Sequence, residues 1–408
     1  MKSSICIILN KLNLFNKNRK NKLYNFFEEL SQETLKDIDY SKKFIVIFDE
    51  EENFLIQKMI INSLKKSNKK VIYNKKVYDN PTRFILKSSS ILSFTINADA
   101  FILSINRKSL KYIDMKKVDY FIINDLNRNY PYRNNDEEDA IKNIIKSLKS
   151  NTKIILNLDN PYTNIVKYYH KGKTIGYGIK SDINKSSTNI VKCPICHENL
   201  IYKSRYFLNY GNYICPNGDF DTGIKSFEAN NISFINSHFK INNNKLKLNT
   251  HFYYDIYYLL SFYAIAKNLK INSKIIEEEI NQYKDDISSI NDNNKEYTLF
   301  NVENGNIINY QKIINYVSSL KKPVLLGFSN IFDNSSLDLS WLYEIDFKPL
   351  KNIEKIYIIG MHKIDIKVRL LYDKLNIKLI DTIEEITQKN VNVIMPHKEF
   401  LNYLGGNK

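Results

Sequence analysis

Three cysteines carry the clearest chemical signal in this 408-residue chain. Cys193-Pro194-Ile195-Cys196 is followed, after 18 intervening residues, by Cys215-Pro216-Asn217-Gly218. Two Cys-x2-Cys knuckles at such a spacing form a zinc ribbon, presenting four thiolates tetrahedrally to one Zn²⁺. Here Gly218 stands at the fourth position, and Asp219, His197 or water would have to complete the shell. Losing a thiolate weakens a structural site because metal-binding energy is folding energy. The expectation is an incomplete site of Cys193, Cys196 and Cys215 in a ribbon that holds no zinc and survives on packing. The remaining cysteine, Cys6, is too remote in sequence to join it.

A second chemical feature is the run Asp49-Glu50-Glu51-Glu52, directly after the apolar Phe44-Ile45-Val46-Ile47-Phe48. Phosphate-cradling loops need Gly, where backbone N–H groups approach the ligand closely. The chain holds only 11 Gly, under half the roughly 7% of an average protein. The plain reading of the acidic run is a solvated turn before a helix, whose N-terminus favours carboxylates.

The elements that must position these residues follow a βαβ rhythm. Buried-strand runs occur at 44–48, 70–73, 100–105, 120–123 and 153–157, with helical patterns at 54–64 and about 137–148 between them. Such alternation implies a mostly parallel sheet. Residues 190–225 interrupt it with Cys, Pro and Gly, and short alternating strands follow to about 251. A long helix at 255–268 opens a second α/β stretch, with strands near 323–328, 355–359, 377–380 and 391–395. The expected organisation is an N-terminal helical segment (1–40), an α/β domain (41–250) carrying the insert at 190–225, and a C-terminal α/β domain (251–408).

Composition narrows the function. Lys+Arg 60 against Asp+Glu 44 gives a net charge of +16, and the pI is 9.3. The basic residues are dispersed, the densest block being the short Asn16-Lys17-Asn18-Arg19-Lys20. Abundant Asn, Ile and Lys fit AT-rich codon usage, so no nucleic-acid partner is expected. No apolar run approaches the ~20 residues of a membrane span. Four Cys and no recognisable signal peptide point to a reducing cytoplasm.

Order and spacing of motifs bring a family into view. The turn Leu156-Asn157-Leu158-Asp159-Asn160-Pro161, followed by the cysteine ribbon, resembles the MurT family, the Mur-ligase-like subunits of lipid II isoglutaminyl synthase. Residues 338–347, Asp-Leu-Ser-Trp-Leu-Tyr-Glu-Ile-Asp-Phe, resemble the family's D-V-S-W-I-W-D-x-D-F segment. Gly360, Asp365, Arg369-Leu370 and Tyr372 match its G-x-R-x-x-D-x-x-x-R-L-x-Y segment, with His362 in place of the Arg. The resemblance runs from about residue 5 to 404. It implies a Mur-ligase central domain with an inserted zinc-ribbon-like module, followed by a MurT-type C-terminal domain. It further implies ATP and Mg²⁺ as cofactors, a GatD-like glutaminase as partner, and amidation of the D-glutamate in the lipid II stem peptide. By the same resemblance Asp338, with Asp346 as runner-up, would complete the glutaminase's Cys–His pair across the subunit interface. Asn157, Asp159 and Asn160 would lie near the nucleotide, and Arg369 and Tyr372 would line the cleft.

The departures from the family are concentrated. Its G-T-N-G-K-T-T phosphate loop corresponds to residues 48–55 here, which contain no Gly, Lys or hydroxyl. At an effective dielectric of ~20 each like-charge pair at about 4 Å costs about 4 kcal/mol, so four carboxylates there oppose a triphosphate. The family's E-x-D-E cluster is replaced by Leu103-Ser104-Ile105-Asn106-Arg107, and its R-D-Q-L-D-R-Y stretch by residues 124–133. The K-N-P-x-G-like segment has become Glu303-Asn304-Gly305-Asn306. The leading expectation is a divergent MurT-like protein with ATP-dependent ligase chemistry lost or reduced. The alternatives are an active amidotransferase subunit with a rebuilt nucleotide site and, last, a basic nucleic-acid-binding protein.

Overall fold

Short runs of β-branched and aromatic residues, buried on both faces, build the parallel core that the sequence implies. The computed structural model describes residues 2–11, 22–40, 42–48, 54–126, 142, 145–181, 190–302, 306–327 and 340–405. All structural statements below concern those residues. The acidic run 49–52 and Asp338 lie outside them, as does most of the expected helix at 137–148.

The chain divides into two units, one of residues 1–127, 134–248 and 256–282, the other of 128–133, 249–255 and 283–408. In the first, β1 (Phe44–Phe48), β2 (Val71–Tyr73), β3 (Ala100–Ile105), β4 (Tyr120–Ile123), β5 (Lys153–Asn157) and β6 (Thr174–Ile179) are all parallel. An antiparallel meander, β9 (Phe227–Ser233), β10 (His238–Ile241) and β11 (Asn244–Lys247), extends the sheet from β6. The order is β11-β10-β9-β6-β5-β4-β1-β3-β2. Between β6 and β9 in sequence, β7 (Ile201–Phe207) and β8 (Tyr210–Ile214) form a separate two-stranded ribbon.

Strand order places the switch in connection direction at β1. The chain passes from β1 by α3 (Leu55–Lys66) to the edge strand β2, returns to β3, then crosses to β4 on the other side. Ligands of open α/β sheets bind outside the carboxyl ends of the strands at such a point. The acidic run 49–52 therefore follows the strand where a phosphate loop would stand.

Two domain boundaries differ from the sequence expectation. Residues 1–40 are not a separate segment: Cys6 and Ile7 of α1 (Lys2–Lys11) and Leu35 of α2 (Lys22–Leu35) share one core with Phe44 and Phe101. Tyr40 stacks on Phe44 with ring centroids 4.3 Å apart. Nor does the second unit begin cleanly at 251. The expected helix at 255–268 forms as Asp255–Asn268, yet from Ile256 it belongs to the first unit, with the next helix, Ser273–Gln282. The first of these helices is apolar on all sides, with Ile256, Tyr257, Leu259, Leu260, Phe262 and Ile265 buried; such a helix is consumed by a core rather than covering one.

The second unit is a six-stranded sheet in the order β12-β13-β17-β14-β15-β16. Its strands are β12 (Ile287–Asp292), β13 (Lys295–Asn301), β14 (Val324–Gly327), β15 (Ile356–Ile359), β16 (Ile377–Leu379) and β17 (Asn390–Met395). All pair in parallel except the β12–β13 hairpin. The hairpin's Asn293 and Asn294 have φ of 47° and 63°, the left-handed pair that a type I′ turn requires and Asn tolerates.

Candidate functional site

Polar residues gather where β4, β5 and β6 end. Asn157 closes β5, and its Oδ1 accepts the N–H of Asp159 at 3.1 Å, folding the chain into an Asx turn. Asn160 then caps the short helix Pro161–Asn164 through Tyr162 N–H at 3.0 Å. Its Nδ2 reaches back to Asp125 Oδ1, just past β4, at 2.8 Å. Tyr210 on β8 donates to the other oxygen of Asp125, and Tyr177 on β6 donates to Asn124 at 2.6 Å.

Asp159, like Asn157 and Asn160, has no exposed surface. Lys225 Nζ stands 2.7 Å from its Oδ1. Its Oδ2 accepts Ile179 N–H at 2.6 Å and Tyr257 Oη at 3.0 Å. Burial pushes this carboxyl up, while the Lys225 charge and these donors pull it back. Room for the pair comes from Gly178 on β6: a Cβ there would run into the Asp159 carboxyl and Lys225 Cε. The three residues nominated from sequence are thus brought together, with most of their polar atoms committed to Asp125, Lys225, Tyr257 and nearby backbone N–H groups. Asn157 Nδ2 is the exception, buried and without an acceptor among the described residues.

Sequence reasoning missed Asp125, Lys225, Tyr210 and Tyr257. Lys225 and Tyr257 lie far along the chain from Asp159, and nothing in their local sequence marks them as its partners.

At the end of β3 the expected replacement of the acidic cluster is structural. Ser104 N–H donates to Asn74 Oδ1 at 2.9 Å. Asn106 caps the turn Arg107–Leu110, accepting Ser109 N–H at 3.0 Å.

The cysteine ribbon lies beside the turn. Tyr213 Oη donates to Leu158 O at 2.9 Å, Asn164 Nδ2 donates to Tyr213 Oη at 2.8 Å, and Gly211 N–H donates to Asp159 O at 2.9 Å. Cys193 and Cys215 are buried in a small core with Val191, Leu200, Tyr213 and Phe220. The ligand atoms of Cys193, Cys196, Cys215 and Asp219 all lie within 4.8 Å of one another. Burial, with the facing Asp219 carboxylate, pushes the Cys215 thiol up to about 12. Hydrogen bonds from the thiols, Cys215 foremost, hold Asp219 below the usual carboxylate range. Three sulfurs and a carboxylate oxygen are a donor set that fits Zn²⁺.

In the second unit, Arg369 is buried within its own domain. It donates to Leu342 O at 3.2 Å and Ile345 O at 2.7 Å, and pairs with Asp373 at 2.8 Å. Its role there is to hold the segment after Ser340, whose Trp341 packs on Tyr310 with ring centroids 5.3 Å apart. Asp346 Oδ1 accepts Lys348 N–H at 3.1 Å, and Gln311 clamps the Asp346 backbone at 2.8 and 3.0 Å. Tyr372 is 78% exposed. It belongs to a row with Met361, Ile364, Val368 and Leu371, all exposed, along the helix Lys363–Leu371.

Comparison with known proteins fits this geometry. Residues 305–402 match the family model of the MurT ligase C-terminal domain. Over 360 residues the chain is 22% identical to the MurT subunit of the glutamine-hydrolyzing lipid II isoglutaminyl synthase of Staphylococcus aureus strain COL, covering 84% of this chain and 79% of that protein. A pseudomurein peptide ligase type C from Methanothermus fervidus superposes with a TM-score of 0.70 at 17% identity, over 96% of this chain and 85% of the other. MurF ligase from Thermotoga maritima, in complex with ADP, gives 0.56 at 10% identity, over 94% and 83%. The fold is that of the Mur ligases.

Proposed function

We propose that this chain, a MurT relative with a Mur-ligase fold and a MurT-type C-terminal domain, is a binding partner of a GatD-like glutaminase, divergent from the subunits that amidate the lipid II stem peptide and with its own ATP-dependent step lost or reduced. The observation that carries the first half is the match over 360 residues to a protein named as a subunit of a glutamine-hydrolyzing synthase. The second half rests on the residues that end the first unit's strands. After β1 stand four carboxylates where a phosphate loop needs Gly and Lys. After β3 the side chains serve a helix cap, and after β5 they are held by Asp125, Lys225 and Tyr257. Backbone donors and a Lys would stabilise the developing charge of a transferring phosphoryl group; carboxylates do the opposite.

The exposed row on helix Lys363–Leu371 supports a protein partner. Ile364, Val368 and Leu371 recur at three- and four-residue steps and so share one helix face, with Met361 exposed just ahead of the helix. Contiguous exposed apolar surface of this kind marks interaction sites. Arg369, on the opposite side of the helix, holds the segment that resembles the family's D-V-S-W motif, where Asp338 and Asp346 are the candidates to support a glutaminase histidine. Such a carboxylate would orient the imidazole and stabilise its charged form.

Co-expression with a GatD-like glutaminase tests both halves. The expected result is a stable complex whose lipid II product shows no amidation mass shift. Failure to form a complex overturns the partnership, and full conversion of lipid II to the amidated form overturns the loss or reduction of ligase chemistry.

A further inference from the structure

The two cysteine turns share one backbone plan, and comparing them identifies the residue that replaces the missing thiolate. In the first, Cys193 N–H donates to Glu198 O at 2.6 Å and His197 N–H donates to Cys193 O at 3.0 Å. In the second, Cys215 N–H donates to Phe220 O at 2.7 Å and Gly218 N–H donates to Cys215 O at 2.9 Å. Both turns thus close six residues with the same N–H to C=O bond. They differ in where the left-handed residue falls. It is the fifth residue in the first turn, His197 with φ of 65°, and the fourth in the second, Gly218 with φ of 74°.

That shift moves the donor by one position. In the first turn the fourth residue, Cys196, carries the second ligand. In the second turn the fourth residue has no side chain, and a Cβ at Gly218 would meet nothing within 4 Å. The fifth residue, Asp219, faces the sulfurs instead, with Oδ1 3.5 Å from Cys193 Sγ. An Asp side chain is one atom longer than Cys, which compensates for starting one residue farther along. Charge is conserved too: a carboxylate replaces a thiolate at the same −1.

We propose that Cys193, Cys196, Cys215 and Asp219 form a complete three-thiolate, one-carboxylate structural zinc site. Tetrahedral zinc with bonds of roughly 2.0–2.3 Å keeps its ligand atoms about 3.3–3.8 Å apart. Cys196 Sγ and Cys215 Sγ are 3.3 Å apart, far beyond a disulfide bond, and all four atoms fall within 4.8 Å. Supporting donors are in place: Ile195 N–H to Cys193 Sγ at 3.4 Å and Asn217 Nδ2 to Cys196 Sγ at 3.4 Å. Such outer contacts orient ligands and tune the metal. The bound ion ties together the two turns flanking β7 and β8, and so holds Tyr210 and Tyr213 against the Asn157–Asn160 turn. This inference stands on the ribbon alone and is independent of the proposed function.

The test is metal analysis and zinc titration of the intact, untagged protein under reducing conditions. One zinc per chain is expected. Asp219→Ala, with far-ultraviolet circular dichroism confirming that it folds, is expected to weaken zinc by roughly a hundredfold or more. The cobalt-substituted protein is expected to show the charge-transfer intensity of three thiolates, unchanged in number in Asp219→Ala. Absence of zinc with no uptake on titration, unchanged affinity in Asp219→Ala, or a Cys196–Cys215 disulfide in the protein as isolated would each overturn the proposal.

Discussion

At the scale of single residues, the Asp159–Lys225 pair decides how firmly the β5 turn is held. Asp159 has no exposed surface and the Lys225 side chain is 6% exposed. Removing one partner of a buried pair leaves an uncompensated charge and costs about 3–5 kcal/mol. Asp159→Asn should therefore lower the free energy of chemical denaturation by that amount, and adding Lys225→Met should recover most of it. A loss below about 0.5 kcal/mol, the usual effect at an exposed position, would mean the pair is not buried as described. This pair also marks a limit of sequence reading. The turn Asn157–Asn160 was legible from its residue types, but its partners arrive from β6, the ribbon and an apolar helix, and only tertiary packing brings those together. Asp219 was legible merely as one of several donors, because spacing alone cannot show which residue of a turn is left-handed.

At the scale of elements, strands were the most legible. Phe44–Phe48 and Asp255–Asn268 lie where periodicity and residue type put them. β6 was missed because Gly176 and Gly178 interrupt its apolar run, and glycine within a strand pattern argues against a strand unless another group approaches closely. That approach is what Asp159 and Lys225 make, so the glycine that hid the strand is the one the site needs. Gly178→Ala is accordingly expected to destabilise the first unit by about 1–3 kcal/mol through overpacking, measured by denaturation. On the helix Lys363–Leu371 the two faces should separate cleanly. Ile364→Glu and Val368→Lys, both exposed, should leave stability within about 0.5 kcal/mol yet weaken glutaminase association at least tenfold in a binding titration. Arg369→Met, on the buried face, should lower the melting temperature as the carbonyls of Leu342 and Ile345 lose their donor. Equal effects of all three on folding would remove the case for a docking face.

At the scale of the whole molecule, the chain keeps a Mur-ligase fold at 22% identity to a MurT subunit, while the sequence after β1 holds no Gly or Lys at residues 48–55. Strand cores are preserved by packing, which accepts any apolar residue of suitable size; phosphate recognition tolerates no such exchange, since it needs backbone approach and positive charge at fixed places. The low glycine count and the four carboxylates after β1 are what the proposed loss of the nucleotide step rests on at this scale. The net charge of +16 carries no comparable meaning, being spread over the sequence. The most direct measurement is isothermal titration of the intact protein with Mg-ATP. No binding heat is expected up to millimolar nucleotide; a saturable isotherm with a micromolar dissociation constant would contradict the proposed loss of the nucleotide step.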